Sequence, residues 1–148
     1  MKRIFMILFC ILLLISCEFG VKTFPFLIEN LECSLDSEND IFNHIGLRFK
    51  MSNTSKKTIK NFTACFIIYD SKNGKNPLIT SNYIEANFNG NLDCNKSKIF
   101  EVSLDDKINY VPKNPFYIDC FYIKSIVYED GSTWKNYFSS YTISGDQL

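Results

Sequence analysis

From about Phe26 onward, apolar residues recur at every second position, and helical spacing is hard to find. A chain patterned in twos buries one face only as a sheet, because successive side chains of a strand point to opposite sides. The cleanest run is 44–53. Ile45, Leu47, Phe49 and Met51 share one face, and His44, Gly46, Arg48 and Lys50 share the other. This predicts a half-buried antiparallel strand. A polar turn over 53–57 leads into a return run, 59–70, that aligns Phe62, Ala64, Phe66 and Ile68. Asn73-Gly74 then marks a sharp turn. A weaker strand is expected over 79–88, before a turn at Asn89-Gly90-Asn91, and another over 99–104. Beyond Pro112 and Pro115, the aromatic-rich run 116–128 reads as a central strand. Asp130-Gly131 reads as a hairpin turn, and 133–141 as the last strand. About seven short strands without helical crossovers predict an all-β antiparallel sandwich over 29–141, followed by a fraying tail, 142–148.

The first residues are of another kind. Lys2 and Arg3 precede twelve uncharged residues, 4–15, the length of a signal h-region and too short to span a bilayer core of about 20 residues. Leu14-Ile15-Ser16-Cys17 then resembles the lipobox of bacterial lipoproteins, with Ser16 where Gly or Ala is more usual. The resemblance implies that 1–16 is a cleaved signal peptide and that Cys17 carries a diacylglycerol and an added acyl chain. One acyl chain anchors only marginally, whereas two or more hold durably. Residues 17–28 then form the lipidated N-terminus and a tether. Losing Lys2 and Arg3 leaves 14 basic against 16 acidic side chains, a net charge of −2. That balance offers no footprint for nucleic acid and no basic patch for lipid head groups.

Phe66-Ile67-Ile68-Tyr69-Asp70 resembles the signature of FxLYD domains, with Ile68 in the Leu place. Asn53-Thr54-Ser55 with Lys57-Thr58-Ile59 resembles the bend ahead of that strand, and 126–134, ending in Trp134, resembles the closing hairpin. The likeness covers roughly residues 29–138. It implies an immunoglobulin-like sandwich in an exported or membrane-anchored protein, and no catalytic residues. Phe66 and Ile68 should face inward, Tyr69 should cap the strand, and Asp70 should accept turn amides. Cys33, Cys65, Cys94 and Cys120 have wide spacings that disfavour zinc. Export permits disulfides, and four cysteines allow three pairings beside free thiols. An immunoglobulin arrangement makes the strands of Cys65 and Cys120 neighbours, so theirs is the first pair to consider.

Other candidates are weaker. His44 is the single histidine and falls on a polar face, so no nucleophile–histidine arrangement can be assembled without it. Asp36-Ser37-Glu38-Asn39-Asp40 lacks the glycine and distal glutamate of a calcium loop, and Asp105-Asp106 reads as a strand end. Three Asn-x-Ser/Thr matches, beginning at Asn53, Asn61 and Asn95, are accidental in a bacterial lipoprotein. Phe116, Tyr117, Phe121, Tyr122, Tyr128, Trp134, Tyr137 and Phe138 make the last hairpin heavily aromatic, as core packing or as a partner-binding face.

The expectation is a non-catalytic, lipid-anchored interaction module on the cell membrane or outer membrane, facing periplasm or exterior. It binds membrane lipid through Cys17 and a protein partner, with no metal and no cofactor beyond the covalent lipid. The alternative is a periplasm-facing structural subunit of an envelope complex. Cys17→Ala should abolish incorporation of an alkyne fatty acid and leave an unprocessed precursor; labelling that persists would refute the anchor.

Overall fold

The computed structural model describes residues 24–137 and the backbone of Ile143–Ser144. The lipidation position Cys17, the signal, and the hairpin residues Phe138 and Tyr141 lie outside the described residues. The chain forms β1 (Phe26–Ser34), β2 (Gly46–Asn53), β3 (Ile59–Tyr69), β4 (Tyr83–Leu92), β5 (Ser97–Ser103), β6 (Tyr117–Tyr128), β7 (Thr133–Lys135) and a two-residue β8 (Ile143–Ser144). Every pairing is antiparallel. The smaller sheet has the order β1-β2-β5 and the larger β4-β3-β6-β7, with β8 also pairing β6. This is an all-β, immunoglobulin-like sandwich whose fourth strand lies on the sheet of the third.

The alternating residues meet between the sheets. Phe49 of β2 lies 5.0 Å from Phe121, 5.3 Å from Phe88, 5.9 Å from Phe100 and 6.2 Å from Phe62, ring centre to ring centre. Phe62 stacks on Phe88 at 4.9 Å and meets Phe100 edge-on at 4.8 Å. These five rings come from β2, β3, β4, β5 and β6, so one cluster ties both sheets together. Phe66, Ile45, Leu47, Met51, Ile59, Ile68, Leu104, Ile123 and Ile126 are fully buried around them.

Some boundaries differ from the sequence expectation, and bulges explain most of them. β1 starts at Phe26, inside the expected tether. Phe26 and Ile28 face inward, but so do Leu31 and Cys33, because a bulge between Glu29 and Glu32 shifts the parity. Asn30 absorbs it at φ 52, a left-handed conformation that Asn tolerates. β4 runs through the expected turn at 89–91 to Leu92. Gly90 takes φ 127 there, where the pairing steps from Ile59–Leu92 to Asn61–Asn89. The Asn-Gly signal thus marks a bulge rather than a hairpin. Within the expected tail, Ile143 and Ser144 pair with Phe121 and Cys120. β7 pairs β6 only over Ser125–Val127, which leaves that stretch of edge open to β8.

Gly46 shows how tightly the β1–β2 loop is packed. A Cβ there would stand 2.2 Å from the ring of buried Phe42. Phe66 is fully buried at the centre of β3. Phe66→Ala should therefore cost about 3–5 kcal/mol in denaturant unfolding, as transfer plus cavity terms; a loss under about 0.5 kcal/mol would mean the strand does not line the core.

Candidate functional site: the outer face of the larger sheet

Because Phe62, Ala64, Phe66 and Ile68 point inward, Thr63, Cys65, Ile67 and Tyr69 of β3 must point outward. The register then sets their neighbours. Tyr69 pairs with Tyr117, Ile67 with Tyr83 and Cys120, and Cys65 with Glu85 and Tyr122. Four tyrosines from three strands therefore share one rigid face. Tyr83 and Tyr117 are 42% and 41% exposed, while Tyr69 and Tyr122 are half-buried.

Cys65 sits at the middle of this face yet has no exposed surface. The side chains around it are large and tied to one another. The Tyr83 and Tyr122 hydroxyls lie 3.3 Å apart, and Lys124 Nζ lies 2.7 Å from Glu85 Oε2. The Cys65 thiol lies 4.0 Å from the same Glu85 oxygen, a weak hydrogen bond. Hydrogen bonding with Cys65 and then with Tyr122, followed by burial, pushes the Tyr83 phenol above its ordinary range. The hydrogen bond to Glu85 raises Lys124. Burial, then the charges of Asp119 and Cys65, raises the Cys120 thiol. The raised Cys120 thiol stays protonated and nucleophilically weak. The face therefore presents tyrosine rings and a covered thiol around one ion pair.

Cys65 and Cys120 lie on neighbouring strands, as the family likeness implies, but the structure holds both as free thiols. The register gives the reason: Cys65 opposes Tyr122, and Cys120 opposes Ile67. They are diagonal neighbours, which stand about 7–8 Å apart across a sheet, whereas a bridge needs Cα atoms within about 6.8 Å. Cys33 and Cys94 are also free thiols, and burial followed by the charge of Glu32 pushes Cys33 up to about 12.

The remaining sequence candidates are dispersed. Phe66 and Ile68 are core, and Tyr69 belongs to the tyrosine face. Asp70 Oδ1 accepts the amides of Lys72 at 2.8 Å and Asn73 at 3.1 Å, while Oδ2 accepts the Tyr110 hydroxyl. Those bonds, Tyr110's first, hold Asp70 below the usual carboxylate range. Trp134 is half-buried and meets Phe26 edge-on at 5.4 Å and Phe24 at 6.2 Å, closing the sandwich where the chain enters. Of the hairpin aromatics, Phe116, Phe121 and Tyr128 are buried and Tyr137 is 79% exposed. His44 is exposed, and its backbone amide donates to Asp105. Among the described residues, no group of three or more His, Cys, Asp or Glu side chains is arranged to hold a metal ion.

Two carboxylates carry more structure than their sequence context suggests. Asp105 accepts the amides of Asn43 at 2.6 Å, His44 at 3.1 Å and Ile45 at 3.0 Å. Glu101 accepts the Asn39 side chain at 2.8 Å and the amides of Glu38 at 3.1 Å and Asn39 at 3.2 Å. Together they hold the β1–β2 loop, including the acidic stretch 36–40. Burial raises both carboxylates, but these hydrogen bonds outweigh it and leave both below their usual values. Alternation marks neither residue, since their partners lie about sixty positions away.

No family model and no curated protein matches the chain. Among solved structures, it is similar to a hypothetical protein from Peptoclostridium difficile 630, with a TM-score of 0.57 and 15% identity over 86% of this chain and 97% of that one. That likeness concerns the fold alone. A Northeast Structural Genomics Consortium target aligns with a TM-score of 0.35 and 15% identity over 74% of this chain and 79% of that one, and carries no argument.

Glu101 and Asp105, both lowered on folding, give a signed pH dependence. A carboxylate lowered on folding stabilises the fold above its unfolded pKa, about 3.9 for Asp and 4.3 for Glu, and loses that contribution as pH falls through the folded value. The difference in denaturation midpoint between the parent and Asp105→Asn should be constant above about pH 5 and shrink below about pH 4. A difference that grows on acidification would contradict the assignment.

Proposed function

We propose that this chain is a lipid-anchored envelope protein whose sandwich is a non-catalytic interaction module of the FxLYD type. Cys17 carries the lipid, and the outer face of the larger sheet receives a protein partner. The anchor reading is supported by the basic start, the apolar run and the lipobox-like boundary at Ser16-Cys17. The module reading is supported by the signature at 66–70 and by an immunoglobulin-like strand order.

One observation carries the choice of face: the tyrosines stand together on one side of the sandwich. Tyrosine brings large amphipathic area at low entropic cost and is enriched at protein interfaces. The other outer face differs in kind. There Glu29 pairs with Lys50, and Arg48 with Glu32 and Glu38, so the exposed charges of the smaller sheet satisfy one another. Such pairs are worth little to stability and suit a solvated surface.

The test is photo-crosslinking in intact cells expressing the full chain. A photoreactive residue at Thr63, within the face, should give a discrete crosslinked species. Tyr83→Ser with Tyr117→Ser should reduce its yield at least about tenfold, the scale of central aromatic contacts. Leu27→Ser with Ile99→Ser on the other face should leave it unchanged. Equal loss from both pairs, or none from the tyrosines, would refute this choice of face.

A further inference from the structure

The two ends of the sandwich are built differently. Where Phe26 enters, strands are joined by the short turns 54–58, 93–96 and 129–132; at the far end run the longer loops 35–45, 70–82 and 104–116. Ile41, Ile79, Tyr110 and Val111, all at least 45% exposed, stand on those long loops. The first strand begins at Phe26, at the short-turn end. The 12 residues of β6, at about 3.3 Å each, set the long loops roughly 40 Å farther along the strand direction. Long loops on a rigid sandwich are where such folds place recognition.

One groove at the far end has a distinct chemistry. It lies between the β3–β4 turn and the β5–β6 loop, holds about 320 Å³, and is lined by Asp70, Lys72, Tyr110, Val111, Pro112 and Lys113 among others. Its one carboxylate is engaged, since Asp70 takes the Tyr110 hydroxyl and two turn amides. Its lysines, Lys72 and Lys113, and the adjacent Lys75 make no salt bridge among the described residues, like Lys56 and Lys96 at the other end, although the charge of Lys72 helps to lower Asp70. The groove adjoins the tyrosine face along the chain, because Asp70 follows Tyr69 and the β5–β6 loop runs into Tyr117. It therefore joins an aliphatic and aromatic wall to two lysines beside a single carboxylate that already accepts the Tyr110 hydroxyl and two turn amides.

We propose that this groove seats an extended acidic segment of the protein partner, its carboxylates meeting Lys72 and Lys113 and its apolar side chains meeting Val111 and Pro112. The proposal rests on the reading of the sandwich as an interaction module and adds the partner's chemistry. A sulfated polysaccharide supplies negative charge but no apolar side chains for that wall.

The test uses the full lipidated chain in detergent micelles and a short fluorescein-labelled peptide alternating glutamate with leucine, read by anisotropy. Its lysine–leucine counterpart and dextran sulfate are the comparison probes. The glutamate peptide should bind at least about tenfold more tightly than the lysine peptide, with an affinity that falls as salt rises. Lys72→Glu with Lys113→Glu should weaken it at least about tenfold, and the Gln pair should do so less. Lys56→Glu with Lys96→Glu, on the short-turn end, should have no effect. Thermal melts of all variants should overlay. Equal binding of both peptides, tighter binding of dextran sulfate than of the glutamate peptide, no binding, or insensitivity to the Lys72 and Lys113 changes would each overturn the groove. If the tyrosine variants still abolish the crosslink in cells, the face survives that loss; if they do not, the module reading falls separately.

Discussion

Phe49 is the point on which the two sheets close. Its ring touches four other phenylalanines, one from each of β3, β4, β5 and β6, in edge-on and stacked contacts. Aromatic pairs in such geometries add roughly 0.5–1.5 kcal/mol beyond the area they bury. More important is where they bind: one ring from the smaller sheet is held by three strands of the larger. A one-residue slip of any of these strands would turn its phenylalanine to solvent, so the cluster also fixes register. Bulges at Asn30, Gly90 and within β6 then restore parity wherever strict alternation would misplace a side chain.

With the inward residues committed, the outward ones are free to differ, and the two outer faces have diverged. The smaller sheet carries paired charges. The larger carries tyrosines around a thiol that has no solvent contact. An outward-facing side chain buried to that degree is covered only by neighbours that lean over it, and the Tyr83–Tyr122 contact with the Glu85–Lys124 pair does so here. The cover makes the face firm, which lowers the entropy lost on forming an interface.

Polar groups organise the ends of the molecule. Buried Asn53 donates to the carbonyls of Lys57 at 2.8 Å and Leu92 at 2.9 Å and accepts from Ser55, joining the β2–β3 turn to the end of β4. Its side-chain amide is thus engaged at both its nitrogen and its oxygen. At the far end, Glu101 and Asp105 hold the β1–β2 loop and Asp70 holds the β3–β4 turn, each through backbone amides. Loops fixed by carboxylates can be long without becoming loose, a condition for carrying a groove.

Much of this was legible in the residues themselves. The alternation at Ile45, Leu47, Phe49 and Met51 and at Phe62, Ala64, Phe66 and Ile68 stated which side chains go inward, because strand geometry leaves a two-residue period no other use. The Asp130-Gly131 turn and the amide-accepting role of Asp70 are local too, set by backbone conformation within a few residues. The proposed lipid anchor rests on sequence alone, on the basic start, the apolar run and the boundary at 14–17. What the linear pattern could not state was pairing across distance. Whether Cys65 opposes Cys120 or Tyr122 depends on the register of β6 on β3, a matter of two residues. Whether Asp105 caps a strand or holds a loop depends on amides some sixty residues earlier. That Tyr69, Tyr83, Tyr117 and Tyr122 form one surface depends on the order β4-β3-β6. Periodicity reports the environment of a side chain, whereas register and strand order, which choose its neighbours, are decided only when the sheets close around their shared core.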